Sequence, residues 1–152
     1  MKRFEKICGM AFLIGLVFWI ADWPGGFILV SLSLTALAIF YYVFGFLFFN
    51  NIRLKNIFSQ SSYAEISALR IIESIATGWG LSLACMTMLW TMMHWPGFYI
   101  FLIVAFIAIL AVATNSLIQF FRSKNVFYKT ILLRIAVIGG FGFFSFFSKY
   151  LI

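Results

Sequence analysis

The stretch "PGGFILVSLSLTALAIFYYVFGFLFF", Pro24 to Phe49, contains no charged residue, and neither does "PGFYIFLIVAFIAILAVATNSLIQFF", Pro96 to Phe121. A helix rises about 1.5 Å per residue and a bilayer's hydrocarbon core is about 30 Å thick, so about 20 apolar residues cross it. Either stretch is long enough. In lipid every backbone polar group has to be bonded internally, which leaves a helix or a closed barrel. A barrel wall needs alternating apolar and polar positions, and these runs are continuously apolar. The rest of the chain agrees: 64% of its 152 residues are hydrophobic and 10% charged, whereas soluble domains carry about 25% charged residues.

The expectation is an all-α integral membrane protein, a single transmembrane domain over residues 1–152 with about five transmembrane helices. The candidate spans are Lys6 to Asp22, Pro24 to Phe49, Leu69 to His94, Pro96 to Phe121 and Ile131 to Ile152. "MKRFEK" followed by an apolar run has the look of a signal peptide, but Trp19 and Asp22 stand where small cleavage-site residues belong, so it reads as a retained first span. Cys8 and Cys85 both lie inside apolar runs, where a lone thiol behaves as a small hydrophobe.

Charge sets the orientation. With five spans, Lys2, Arg3, Lys6, Arg53, Lys55, Arg70, Arg122, Lys124, Lys129 and Arg134 fall on one side, ten of the eleven basic residues. The positive-inside rule puts that side in the cytoplasm, with the N-terminus, and leaves Lys149 outside. The expected compartment is a bacterial cytoplasmic (inner) membrane. The net charge of +7 then has membrane lipids as partners and no nucleic acid, since basic residues beside the spans attract anionic headgroups.

Two short connections share a motif. "ADWPGG" and "MHWPGF" place Trp23, Pro24 and Gly25 in one turn and Trp95, Pro96 and Gly97 in the other. Proline disfavours a helical conformation in the residue before it, so each preceding helix is expected to end near Asp22 or His94. Proline itself suits the first position of the next helix, glycine permits a close turn, and tryptophan favours the membrane boundary. These are two helical hairpins, with one further span after them.

The turns align at an offset of 72 (95 − 23), which also pairs Ile28 with Ile100, Ala36 with Ala108, and Phe48 and Phe49 with Phe120 and Phe121. This indicates an internal repeat of residues 6–49 and 78–121, with an additional span at 131–152. A weaker echo links "LRIIESIATGWG" at Leu69 to "LRIAVIGGFG" at Leu133. Each unit has two spans, so successive units keep one orientation, unlike the inverted repeats of many secondary transporters.

Few polar residues are available for chemistry. Asp22 and His94 hold equivalent positions before the tryptophans; the expectation is that each ends a helix at the interface, the alternative that His94 is a sensor or proton relay. Glu73 precedes His94 by 21 residues (94 − 73), about 31 Å along a helix, near the cytoplasmic boundary. It is expected to pair with Arg70 one turn away, the alternative being a functional carboxylate. Asn115 and Gln119 share a helix face and are expected to bond across helices.

Small residues recur at Ser74, Gly78 and Ser82, at Gly80, Ala84, Thr87 and Thr91, and at Gly139, Gly140, Gly142, Ser145 and Ser148, stripes that allow close helix approach in lipid. They place the third span centrally, packed by the first and fifth. The 21 phenylalanines are expected to face lipid and fill gaps. There is no catalytic serine, histidine and acid set, no phosphate loop and no metal-ligand spacing, so no enzyme, cofactor or metal is expected.

At the turn, "MMHWPG" followed by an apolar span resembles the N-terminal transmembrane hairpin of GldL-type proteins, the cytoplasmic-membrane component of the gliding-motility and type IX secretion motor of gliding bacteria. It is more similar still to small GldL-related membrane proteins, which join such a turn to a stretch like "LTALAIFYYVFGFLFFN", Leu34 to Asn50. The resemblance implies a hairpin architecture over the two repeats and not the last span. GldL-type proteins carry a glutamate in the second span and a long cytoplasmic region; the spans after both turns here contain no acid, so motor function is not implied. The expected role is a structural or accessory subunit packing with itself, as a homo-oligomer, or with another membrane protein. The alternative is a small transporter or channel with Glu73, Asn115 and Gln119 at its cytoplasmic mouth.

Overall fold

The computed structural model describes residues 1–59, Tyr63 and residues 66–151, without the side chains of Leu54 and of residues 142–151. Among these residues the chain is all-helical: α1 (Lys2–Ile20), α2 (Gly26–Phe49), α3 (Ala68–Met92), α4 (Phe98–Ser123) and α5 (Val126–Leu151), with a 3-10 turn at Leu54–Asn56. Of the last small-residue stripe, the side chains of Ser145 and Ser148, with position 142, lie outside the described residues, as does Ile152 at the end of the fifth expected span.

Three of the helices, α2, α3 and α4, are long and apolar enough to cross a membrane. The chain therefore has the elements of a membrane protein. α1 starts four residues earlier than expected, at Lys2, and so takes Arg3 and Glu5 into its first turn. α5 likewise starts at Val126 and includes Lys129 and Arg134.

Both Trp-Pro-Gly turns are built alike, and their first half is a Schellman cap. Asp22 N–H bonds to Trp19 O at 3.3 Å and Trp23 N–H to Phe18 O at 2.8 Å; in the second turn His94 N–H bonds to Thr91 O at 3.2 Å and Trp95 N–H to Trp90 O at 3.1 Å. Such a cap needs a left-handed residue at the position before the tryptophan. Asp22 and His94 fill it, each with φ of 53°. Aspartate and histidine are among the few side chains enriched in that region, which accounts for an ionisable residue at both places. The cap's usual apolar contact is present too, with ring centroids 5.1 Å apart for Phe18 and Trp23 and 6.3 Å for Trp90 and Trp95.

The prolines do not open the following helices. Pro24 and Pro96 lie in the turns, and Gly25 and Gly97, at φ of 88° and 86°, are the N-caps of α2 and α4. Two consecutive reversals of backbone hand are thus packed into four residues, the second one open to glycine alone at no steric cost. The hairpins differ after the turn. A Cβ on Gly26 would lie 2.5 Å from the backbone N of Trp19, so α1 and α2 meet backbone to backbone there, whereas the matching position of the second turn is Phe98.

Each helix from α1 to α4 packs on the next, and α5 returns to lie against α3 and α4. α3 is central, as expected, but its principal neighbours are α2, α4 and α5; α1 packs on α2 instead. The Ser74, Gly78 and Ser82 stripe explains the difference. It faces α2, where a Cβ on Gly45 would come 2.7 Å from the Gly78 Cα and one on Gly78 2.7 Å from Tyr41 O. The second stripe turns to α4, with Thr87 Oγ1 3.4 Å from Phe101 O. Phe12, Phe40, Phe48, Phe49 and Phe127 are in the buried core, the gap-filling part of what was expected of the phenylalanines.

Candidate functional site

Two carboxylates are drawn inside the bundle, and both are held at the end where α1, α3 and α5 begin. Glu73 sits six residues after Ser67, whose side chain caps α3 by accepting from Arg70 N–H at 3.3 Å. The glutamate is buried, with 7% of its surface exposed. Asn115 Nδ2 of α4 donates to Glu73 Oε1 at 2.7 Å, and the Tyr128 hydroxyl of α5 donates to Oε2 at 2.9 Å. One acid therefore ties three helices together.

The expected ion pair between Glu73 and Arg70 is not formed. Arg70 instead lies over the Phe127 ring, with its guanidinium carbon 4.5 Å from the centroid, and its Nε is buried without a hydrogen-bond partner. Spacing of three residues places two side chains on neighbouring helix positions, but here the donors from α4 and α5 occupy the carboxylate. Asn115 does bond across helices, as its position suggested. The Gln119 side chain forms no hydrogen bond among the described residues; the backbone carbonyl of Gln119 accepts from the Ser123 hydroxyl at 2.8 Å.

The second acid, Glu5, was not singled out in the sequence. Its carboxylate receives Arg134 Nε at 2.6 Å on Oε1 and Nη2 at 2.8 Å on Oε2, and the Tyr41 hydroxyl donates to Oε1 at 2.6 Å. Arg134 Nη1 also donates to Thr130 O at 3.2 Å, and its guanidinium carbon lies 4.7 Å from the Phe48 ring centroid. The pair is largely buried, with side-chain exposures of 18% and 16%. Arg134 is nine residues into α5 from Asn125 (134 − 125), about 13 Å along the axis. A signal was available: one acid near the start of the first helix and one base well inside the last apolar segment, both at the same end under the five-span reading.

A cavity of about 280 Å³ adjoins this pair. It is lined from α1, α2, α3 and α5, with Glu5, Tyr41 and Arg134 as its polar wall and Phe12, Met88 and Phe141 among its apolar ones. Leu13, Leu133 and Val137, which also line it, are exposed, so it opens on the protein's flank between α1 and α5. Phe12 and Phe141 close part of that gap, their rings edge to face at 5.6 Å.

Asp22, His94 and the tryptophans of the turns lie at the opposite ends of these helices and are exposed, so the structure brings them to neither acid. Among the described residues no three His, Cys, Asp or Glu side chains converge to hold a metal ion. The arrangement supplies both carboxylates with donors from other helices, a guanidinium and a phenol for Glu5 and an uncharged amide and phenol for Glu73. No family model, curated protein or solved structure matches the chain.

Proposed function

We propose that the protein is a structural or accessory subunit of a bacterial cytoplasmic membrane, crossing it five times with its N-terminus inside. Its two Trp-Pro-Gly hairpins are a duplicated unit of the GldL-related kind, supported by the matching hydrogen bonds of the two turns. Ten basic residues at one end support the orientation. In this reading α1 and α5 also span, their charges facing the bundle or the headgroups rather than the chains of the lipid.

The observation that carries the accessory role is the fate of the two helix carboxylates. Glu5 and Glu73 each accept hydrogen bonds from two other helices, which fits a fixed scaffold better than an ion path. α4 leaves most of its apolar side chains exposed, Ile103, Phe106, Ile107 and Leu110 among them, a face suited to lipid, to a membrane-protein partner or to a second copy of the chain. In-cell crosslinking followed by mild-detergent affinity purification is the test. Reproducible recovery of a membrane partner or a homo-oligomer is expected; a monomer recovered alone would contradict the role.

A second reading, a small transporter, draws on the cavity beside Glu5 and Arg134. Solute uptake by proteoliposomes that Glu73→Gln abolishes would favour it over the accessory role.

A further inference from the structure

Arg134 borders two hollows. One is the apolar cavity between α1 and α5 described above. The other is a pit of about 230 Å³ among the starts of α1, α3 and α5 and the end of α2. The charged residues among those described as lining it are Lys2, Arg70 and Arg134, all cationic. Asn125 and Val126 line it too, so the N-terminus of α5 opens on it, with Asn125 Oδ1 accepting from Phe127 N–H at 2.9 Å. The positive end of a 26-residue helix and three cations make a site that favours an anion.

Arg70 adds a charge that no carboxylate answers among the described residues. Its guanidinium carbon lies 4.5 Å from the Phe127 ring centroid, and it is absent from the ion pair that Glu5 makes with Arg134. Arg134 is different, since Glu5 already occupies its paired donors. The pit thus has more positive charge than the protein itself answers, while the cavity beyond Arg134 is apolar and open at the flank, through Leu13, Leu133 and Val137.

We infer that this end of the protein binds an anionic phospholipid, with its phosphate in the pit lined by Lys2, Arg70 and Arg134 and one acyl chain in the apolar cavity that Arg134 also borders. Charge selects the headgroup, and the lateral opening admits the chain from the bilayer. The site goes beyond any accessory role, since it holds whether or not a protein partner exists.

The test is titration of the purified full-length protein in mild detergent with phosphatidylglycerol, phosphatidylcholine or inorganic phosphate, read by native mass spectrometry and by thermal unfolding. Phosphatidylglycerol is expected to form the most persistent adduct and to raise the unfolding temperature, with the other two far weaker. Lys2→Gln, at an exposed position, and Arg70→Gln are each expected to weaken that binding about fivefold. Gly9→Leu projects into open space beside the cavity and is expected to weaken phosphatidylglycerol binding without unfolding the protein. Equal binding of the two lipids overturns the proposal, as does phosphatidylglycerol binding unaltered by both charge variants. Stabilisation by inorganic phosphate equal to that by lipid would reduce the pit to a simple anion site and overturn it as well.

Discussion

Glu5 and Arg134, 129 residues apart, join the first helix to the last through two hydrogen bonds of 2.6 and 2.8 Å. α1 packs mainly on α2, and α5 on α3 and α4, so this pair closes a bundle that helix packing alone leaves open along one flank. Removing one partner strands the other as a buried charge.

Arg134→Met is therefore expected to destabilise the protein by about 3 kcal/mol, and Glu5→Gln by less, because the amide still accepts from Tyr41 and the guanidinium. The double variant Glu5→Gln/Arg134→Met is expected to recover part of the loss. Thermal unfolding in a fixed detergent checks the order of the three. A double variant as unstable as the sum of the singles would mean that the pair is not coupled.

The contact between α2 and α3 rests on absent side chains. Gly78→Ala puts a methyl 2.7 Å from Tyr41 O, and a cost of about 1 to 3 kcal/mol is expected. Gly80→Ala, two residues away with nothing within 4 Å, is expected to be neutral or to stabilise by about 0.5 to 1 kcal/mol. Equal effects at the two glycines would show that the helices do not meet through Gly45 and Gly78.

His94 is assigned a backbone task. His94→Gly and His94→Asn are expected to leave stability unchanged or raised, since both residues accept the left-handed conformation, whereas His94→Val is expected to cost about 1 to 2 kcal/mol. The same order is expected for Asp22. Stability that depends on an ionisable side chain there, falling equally with glycine and valine, would point to chemistry at the turn.

Asn115 and Tyr128 hold the Glu73 carboxylate. Asn115→Leu and Tyr128→Phe each remove a donor from it, and each is expected to cost about 1 to 3 kcal/mol. Gln119→Leu, one turn away, is expected to cost little. Unfolding measured for the three variants distinguishes this from a network centred on Gln119.

Long-range consequences were the least legible part of the sequence. Charge-free runs marked α2 and α4 directly, and Trp-Pro-Gly marked both reversals, because these are local properties of backbone and lipid. What the motif concealed was its hand: the proline was expected to start a helix, and instead a Schellman cap and a left-handed glycine fill the turn. The small-residue stripe on α3 showed that some helix comes close but not which one; that depended on Gly45, an isolated glycine in α2. Glu73 drew attention to Arg70 by spacing alone, whereas its partners lie 42 and 55 residues away. Glu5 was hidden by the expected helix start at Lys6, which left it in a polar leader instead of in the first turn of α1.

The proposed accessory role depends most on the number of crossings, and cysteine accessibility measures that directly. Lys55→Cys, Lys124→Cys, Trp23→Cys and Trp95→Cys would each be placed singly in the chain, whose native Cys8 and Cys85 are buried, and treated in intact bacterial cells with a membrane-impermeant maleimide. Five crossings with the N-terminus inside predict labelling at positions 23 and 95 only, with 55 and 124 labelled after the membrane is opened. Labelling of 55 or 124 in intact cells, or protection of 23 with 95 exposed, would contradict the five-span arrangement and the accessory role built on it.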